Sequence, residues 1–248
     1  MTRFVRSFCL AAAGLSLSLG VVWAASPVKI AEVIPVEELS ASVAETADDL
    51  QKLIASEAAF KEADSKVTNT ASVLASLAQA LSEVDGEAPL KPVASHIRKA
   101  AQDIAMAKDF AATQGASQKL AAALKGGADL GDAPAAVAWG KVAKMHPVME
   151  VMEQRSTMLS RAIKRLRKPE EEAKLASSIA VLALVTHGDT HEVKDEADLP
   201  QWHALALELQ TTMSQTATAI RAKDKAAAEK AFNLAKESCD KCHEKFQD

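Results

Sequence analysis

Apolar side chains recur at intervals of three and four residues through most of the chain, which is the spacing of amphipathic helices. In the first half this pattern predicts helices over about residues 36–62, 65–84 and 89–111, then a shorter helix that ends near Gly126. Pro89 favours a helix start and Gly126 a helix end, because of their backbone preferences. The stripe that defines the third helix comprises Val93, Ile97, Ala100, Ile104 and Ala111.

The same pattern starts again after a linker that contains Gly, Asp and Pro. It predicts helices over about residues 136–166, 169–186 and 200–221, and a last helix from 225 to the end. Pro147 lies in the early turns of the first of these, where it indicates a kink or the true helix start. Two successive sets of four helices predict an all-α fold of antiparallel four-helix bundles, two in tandem. A single extended helical domain stays open as the alternative.

Composition and charge agree with a helical protein that binds no nucleic acid. Aromatic residues make up 4% of the chain and Tyr is absent, which favours helix over sheet. The formal net charge is −4, whereas binding to phosphates requires clustered Lys and Arg. The basic run over residues 161–168 is followed at once by Glu170, Glu171 and Glu172, so we interpret it as a solvated helix end.

The first 24 residues have the pattern of a secretory signal peptide. Arg3 and Arg6 precede an apolar run, and the small side chain of Ala24 suits a cleavage site after that residue. Cleavage would make the net charge −6 and remove Cys9. An uncleaved membrane anchor is the alternative, because the run approaches the ~20 residues that a bilayer span requires. We therefore expect a signal peptide at 1–24, one helical bundle at 36–130, a second at 136–248, and a periplasmic location without a further membrane span.

The most informative motif lies at the end of the chain. Cys239 and Cys242 are two residues apart and His243 follows directly, which is the attachment signature of c-type haem. On a helix these three groups can reach one macrocycle, because residues three and four apart lie on one face. The apolar stripe of the last helix also includes both thiols: it comprises Ala228, Phe232, Ala235, Cys239, Cys242 and Phe246.

Three other interpretations of the cysteine pair were weighed. A zinc site needs about four ligands, and only scattered histidines could supply the rest. A dithiol oxidoreductase places its Cys-x-x-Cys at a helix start within a βαβ unit, and the sequence predicts no such unit. A disulfide, or a free pair in a structural helix, is the third alternative. Covalent haem is the interpretation that we carry forward, with one haem c per chain.

The segment Ser238-Cys239-Asp240-Lys241-Cys242-His243-Glu244-Lys245-Phe246 resembles the class II cytochromes c, the cytochrome c-prime family. The resemblance covers about residues 137–248. It implies His243 as the proximal iron ligand and a distal side formed by the first helix of the same bundle. The N-terminal set of helices resembles a degenerate copy of this bundle, and we expect it to carry no haem.

The resemblance also implies that the distal residue decides the function. Met149 is our first choice for a distal iron ligand and Met152 the second, although methionines at helical spacing are often ordinary core residues. Met145 and Met158 lie on the same predicted helix, and Arg155 follows the methionines instead of preceding them. Among the other possible ligands, His146 lies at the helix start. His187 and His191 flank a Gly-Asp turn that we interpret as a solvated loop, and we assign no role to His96 or His203.

These residues predict an exported c-type cytochrome for electron transfer, with a redox protein as partner and a homodimer as an open possibility. The alternative is a five-coordinate haem protein that binds or senses a small gas such as nitric oxide. A third hypothesis is an interaction role, in which the haem-free half docks to a partner. We expect no enzymatic activity, because the sequence lacks a Ser-His-Asp arrangement and a Gly-rich phosphate loop after a strand.

Overall fold

A computed structural model describes residues 25–63, 65–126 and 130–247. Regular structure in these residues is helical, without a strand, and this confirms the predicted all-α fold. The predicted signal peptide at 1–24 lies outside the described residues. The helices are α1 (Ile30–Val33), α2 (Val36–Leu53), α3 (Glu57–Ala63), α4 (Ser65–Glu83), α5 (Ala94–Met106), α6 (Phe110–Leu124), α7 (Met145–Ala162), α8 (Pro169–Gly188), α9 (Leu199–Arg221) and α10 (Lys225–Phe246).

Two predicted helices of the first half were wrong at their ends, and in both places a polar residue begins a new helix. The helix predicted over 36–62 breaks after Leu53, and α3 begins where Ser56 Oγ accepts a hydrogen bond from the Ala59 N–H at 3.2 Å. The stripe predicted to run to Ala111 ends with α5. Asp109 then caps α6 by accepting from the Ala112 N–H at 2.8 Å, because a helix start leaves its first N–H groups without partners.

The helix predicted over 136–166 begins late, at Met145, and ends early, at Ala162. Residues 130–138 are irregular, and Trp139–Lys141 form one 3₁₀ turn. The reason is tertiary. The backbone of Gly140 lies directly against that of Gly188 at the end of α8, so closely that a Cβ on Gly140 would come within 2.0 Å of the Gly188 carbonyl oxygen. Pro147 falls in the first turn of α7, as a residue without an N–H can.

The last four helices pack as an antiparallel set, in which the start of each helix lies beside the end of the one before. Trp202 Nε1 at the start of α9 donates to the Thr186 carbonyl near the end of α8, at 2.8 Å. Ser238 Oγ, late in α10, donates to the Leu205 carbonyl, early in α9, also at 2.8 Å. Because a short turn joins α7 to α8, α7 and α10 also run in opposite directions.

Helix α8 is apolar on nearly all sides and lies at the centre of the molecule. Its residues from Ala176 to Thr186 are all buried, and the helix packs against α4, α7, α9 and the Trp139–Lys141 turn. Helix α4 is buried in the same way, so one apolar cluster, which we call the main core, includes residues of both halves from Ile30 to Ala235. The division into bundles at 36–130 and 136–248 stays a prediction.

Polar contacts also join the two halves. The Arg221 guanidinium at the end of α9 donates to Glu38 Oε2 of α2 at 2.6 Å and to Ser177 Oγ of α8 at 2.7 Å. Asn69 Nδ2 of α4 donates to Glu150 Oε2 of α7 at 2.8 Å. Within the described residues, none of the helices has the length and apolar character that crossing a bilayer requires.

Candidate functional site

Cys239 and Cys242 lie late in α10, on the side of the helix that faces the bundle. The helix begins at Asp224, whose carboxylate accepts from the Ala227 N–H at 3.0 Å. From there a buried stripe runs to the end of the helix, and both cysteines are half-buried at its edge. Neither forms a disulfide. The buried members of the stripe are Ala228, Ala231, Phe232, Ala235, Ser238 and Phe246.

The two thiols contact different groups of apolar side chains. Cys239 packs against the main core. Cys242 packs against a smaller group that we call the end cluster, which comprises Met145, Trp202, Leu205 and Phe246. The members of the end cluster come from the start of α7, the start of α9 and the end of α10, so three helices meet beside Cys242.

Burial disfavours the thiolate form of both cysteines. It raises the pKa of Cys239 to about 11, with smaller contributions from the neighbouring Cys242 and Asp240. Burial also raises the pKa of Cys242. Because the thiolate is the form that attacks disulfides and oxidants, these thiols resist oxidation better than exposed ones. The pair is therefore unlike an oxidoreductase dithiol, which works through a lowered pKa.

His243 is exposed, whereas the thiol beside it is half-buried. Its backbone carbonyl accepts a hydrogen bond from the Gln247 N–H at 3.0 Å, so the helix remains regular through the whole motif. The imidazole follows Cys242 directly on the helix, and it is accessible to a metal bound against this edge of α10.

The four methionines of α7 occupy four different environments. Met145 is buried in the end cluster, and Met152 is buried in the main core. Met149 is half-buried between them and packs against both groups. Met158 is 55% exposed. Of the two methionines that the sequence selected as distal ligands, the structure therefore brings Met149 to the same cluster as Cys242 and places Met152 deeper in the main core.

The antiparallel arrangement of α7 and α10 also favours Met149 over Met152 as the methionine nearer to Cys242. Met145 and Phe246 belong to one cluster, and the two helices rise by equal steps of about 1.5 Å per residue in opposite directions. Counted from this shared cluster, Met149 is four residues along α7 and Cys242 is four residues back along α10, whereas Met152 and Cys239 are each seven residues away.

Two histidines interpreted from sequence as unimportant form a contact of their own. His187 lies in the last turn of α8, not in a solvated loop, and its ring stacks on that of His203 with centroids 4.4 Å apart. Burial and the neighbouring His203 lower the pKa of His187. His191 does lie in the exposed loop, where the Asp189 carboxylate at 2.8 Å raises its pKa. His146 is 86% exposed and pairs with Glu150 at 3.3 Å.

Sequence reasoning did not connect Trp202 with Cys242. Trp202 belongs to the helix predicted over residues 200–221, and its ring meets that of Phe246 edge-on beside the thiol. The available signal was the scarcity of aromatic residues, since two of the few lie here. Burial lowers the pKa of Arg155 to about 10, and among the described residues no carboxylate opposes that effect.

In the described part of the chain, no group of three or more His, Cys, Asp and Glu side chains is arranged to hold a metal ion by itself.

Comparison of the chain with protein-family models, with curated proteins and with solved structures finds no match.

Proposed function

We propose that the chain is an exported c-type cytochrome that carries one covalent haem through Cys239 and Cys242, with His243 as the proximal iron ligand. One observation carries the proposal: two unpaired thiols and the adjacent imidazole lie together late in α10, and Met149 of α7 packs against the same end cluster as Cys242. As the resemblance to class II cytochromes c implies, residues 136–248 would form the haem-binding bundle and residues 36–130 a haem-free bundle in tandem.

The chemistry of the donor set fits a haem. Each thioether forms when the S–H of a cysteine adds across a vinyl group, with the sulfur bonding to one carbon and the proton going to the other. This addition needs reduced thiols, and both cysteines are unpaired, with burial disfavouring their thiolate form. Apolar walls on two sides suit a porphyrin, and the exposed His243 is free to turn towards iron.

The helix packing supports the same position. Helices α8 and α9, and α9 and α10, pack extensively against each other, and α7 packs less extensively against α8, whereas α7 and α10 make little direct contact. The end cluster fills the space beside Cys242, so haem binding requires its side chains to separate. Ala228, Ala231 and Ala235 have small side chains on the buried face of α10, which leaves room for a ring beside this helix.

When bound, a haem supplies a one-electron iron couple, and the protein sets its potential through the axial ligands and the burial. In this chain His243 would hold the metal on one side, while α7 excludes water from the other. Met149 is better placed than Met152 as the sixth ligand, because it packs against both clusters and Met152 is enclosed in the main core. A six-coordinate iron favours electron transfer with a redox protein in the periplasm.

The test is covalent haem in the exported protein. The full chain is expressed in a host that attaches c-type haem, and a denaturing gel is stained for haem. We expect staining of the wild type and of Cys9→Ser, weaker staining of the single variants Cys239→Ser and Cys242→Ser, and none when both are replaced. A colourless wild-type protein with two thiols open to alkylation would overturn the proposal.

The absorption spectrum then separates electron transfer from gas binding. We expect a low-spin spectrum in the wild type that becomes high-spin in Met149→Ala and stays low-spin in Met152→Ala, the matched control on the same helix. A high-spin wild type that binds carbon monoxide readily would instead favour the five-coordinate, gas-binding function.

A further inference from the structure

A second site lies away from the thiols, in a cleft that encloses about 680 Å³. Helices α4 and α5 form one wall, and residues 134–144 with the start of α7 form the other. Cys239, Cys242 and His243 are not among its lining residues, and neither is Met145, Met149 or Met152. The volume is within the range of about 300–1,000 Å³ that small-molecule sites occupy.

Arg98 of α5 lies in the wall of this cleft and is only 2% exposed. Its guanidinium donates to the Ala135 carbonyl at 2.7 Å and to Gln102 Oε1 at 3.2 Å, and both of these acceptors are neutral. Burial alone lowers the pKa of Arg98, without an opposing contribution from any carboxylate of the described residues. An arginine remains charged even so, and a buried charge is costly unless an opposite charge accompanies it.

The rim of the cleft adds positive charge. Lys141 and Lys144 are exposed at its edge, on the side opposite Arg98. A third lysine, Lys99, also lines the cleft but is already paired with Asp103. Among the described residues that line the cleft, the one acidic side chain is Asp189, which binds His191 at 2.8 Å. The charge of Arg98 therefore has no counterpart within the lining.

Apolar residues make up about half of the lining, which also includes the polar side chains of Thr68, Ser72, Gln102 and His191. Met106 is 59% exposed at one end, which is unusual for a large apolar side chain. Gln102 holds the opposite wall by donating to the Lys141 and Val142 carbonyls at 3.0 and 2.9 Å. The cleft thus combines a buried cation with an apolar surface. The other apolar lining residues are Ala75, Ala105, Pro134, Ala135, Val137, Val142, Ala143 and Pro147.

We propose that this cleft binds a small amphiphilic carboxylate, with its anionic head against Arg98 and its apolar body along the walls between Met106 and Val142. A carboxylate is the chemical class that satisfies both features, because a guanidinium binds it through paired hydrogen bonds and apolar walls exclude water from that contact. Lys141 and Lys144 would attract the anion from solution without touching its apolar part.

The test is calorimetric titration of the full chain with octanoate and with octanamide, a neutral molecule of nearly the same shape. We expect octanoate to bind at least about tenfold more tightly, since a hydrogen bond to a charged group contributes more than a neutral one. In Arg98→Met this preference should disappear. Equal affinity for the two probes, or no binding of octanoate at millimolar concentration, would overturn the proposal.

Arg98 also binds the Ala135 carbonyl, so a melting curve must show that Arg98→Met is folded. If it is not folded, two further variants test whether the cleft binds octanoate. Ala105→Trp fills the cleft from α5 and should abolish octanoate binding. The double variant Lys141→Ala/Lys144→Ala should weaken octanoate binding several-fold. The control is Lys119→Ala/Lys125→Ala, which removes the same charge from two exposed positions, one in α6 and one directly after it, and should leave binding unchanged. Unchanged binding in both Ala105→Trp and the rim variant would also overturn it.

Discussion

The ring of Trp202 meets the ring of Phe246 edge-on, with centroids 5.1 Å apart and planes at 87°. Trp202 is held in turn by its Nε1, which donates to the Thr186 carbonyl at 2.8 Å. The last turn of α10 is therefore fixed to α9 and, through the indole, to the end of α8. Cys242 lies four residues before Phe246, so this aromatic pair sets where the second thiol faces.

Phe246→Ala should lower the free energy of unfolding by about 3 kcal/mol, because it removes a buried ring and its contact with the indole. Urea denaturation of the haem-free chain measures the change. Leu234→Ala is the control on the same helix, since Leu234 is 37% exposed, and it should cost less than about 1 kcal/mol. Equal losses in the two variants would show that the aromatic contact does not hold the end of α10.

Gly140→Ala should destabilise the fold by several kcal/mol, since its new methyl group would overlap the Gly188 carbonyl oxygen at 2.0 Å and backbone cannot easily move aside. Gly188→Ala meets the Gly140 nitrogen at 2.5 Å and should behave alike. Thermal unfolding measures both.

Gly115→Ala provides the control for these two variants. Gly115 lies inside α6 with no atom of another residue near its Cβ position, so alanine should stabilise that helix by about 0.5–1 kcal/mol. Loss of stability in Gly115→Ala, or none in Gly140→Ala, would contradict the close backbone contact.

These glycines show why some helix ends could be predicted from sequence and others could not. The pattern of apolar residues predicts the start of α4 at Ser65 and the start of α8 at Pro169, and both predictions were confirmed. Residues 136–144 contain no strong helix breaker except Gly140, so their sequence favours helix. Their irregular path is set by a contact with Gly188, 48 positions away. The helix break after Leu53 could not be predicted for a different reason, because the spacing of apolar residues continues without interruption across it.

The candidate site, like the helix ends, could be predicted from sequence only where local geometry determines it. The spacing of the cysteines and the stripe of α10 predict one face for both thiols, because helix geometry alone determines it. The order of Met145, Met149 and Met152 along α7 could not tell which of them meets Cys242, since that depends on how α7 and α10 are placed side by side. Nothing in the sequence indicates that Arg98 is buried, because the carbonyl that it binds belongs to Ala135 in an irregular segment.

Arg221→Met should lower the free energy of unfolding by about 2–3 kcal/mol, because it leaves the Glu38 carboxylate largely buried without its cation. The estimate is below that for a fully buried pair, since the Arg221 side chain is 23% exposed. Chemical denaturation measures the change.

The matched control is Lys174→Met. Lys174 also joins the two halves, through an ion pair with Glu45 at 2.6 Å, but the Glu45 side chain is 59% exposed. Its loss should cost no more than about 1 kcal/mol. If the two variants lose equal stability, burial of the Arg221 pair is not what makes it important.

His187 should make the protein less stable at mildly acidic pH. Its pKa in the folded protein is lowered by burial and by His203 from the ordinary value of 6.5, so the unfolded chain takes up the proton more readily. The full contribution is present above pH 6.5 and is lost as the pH falls below it, towards the folded pKa. In His187→Gln the loss of unfolding free energy between pH 7 and pH 5 should be smaller, whereas His146→Gln, at an exposed position, should retain it.

Cys239 and Cys242 of the haem-free chain should react slowly with iodoacetamide at pH 8. A pKa of about 11 for Cys239, against an ordinary value of 9.0, lowers its thiolate fraction by about a hundredfold, and only the thiolate reacts. The double variant Cys9→Ser/Cys242→Ser isolates this thiol and removes one of the causes of the shift in its pKa, but burial, the larger cause, remains. Its alkylation should accelerate steeply between pH 8 and pH 11 and should become fast in urea. A rate at pH 8 that is the same in the folded and unfolded chains would mean that Cys239 does not face the core, and the position proposed for the haem on α10 would then be wrong.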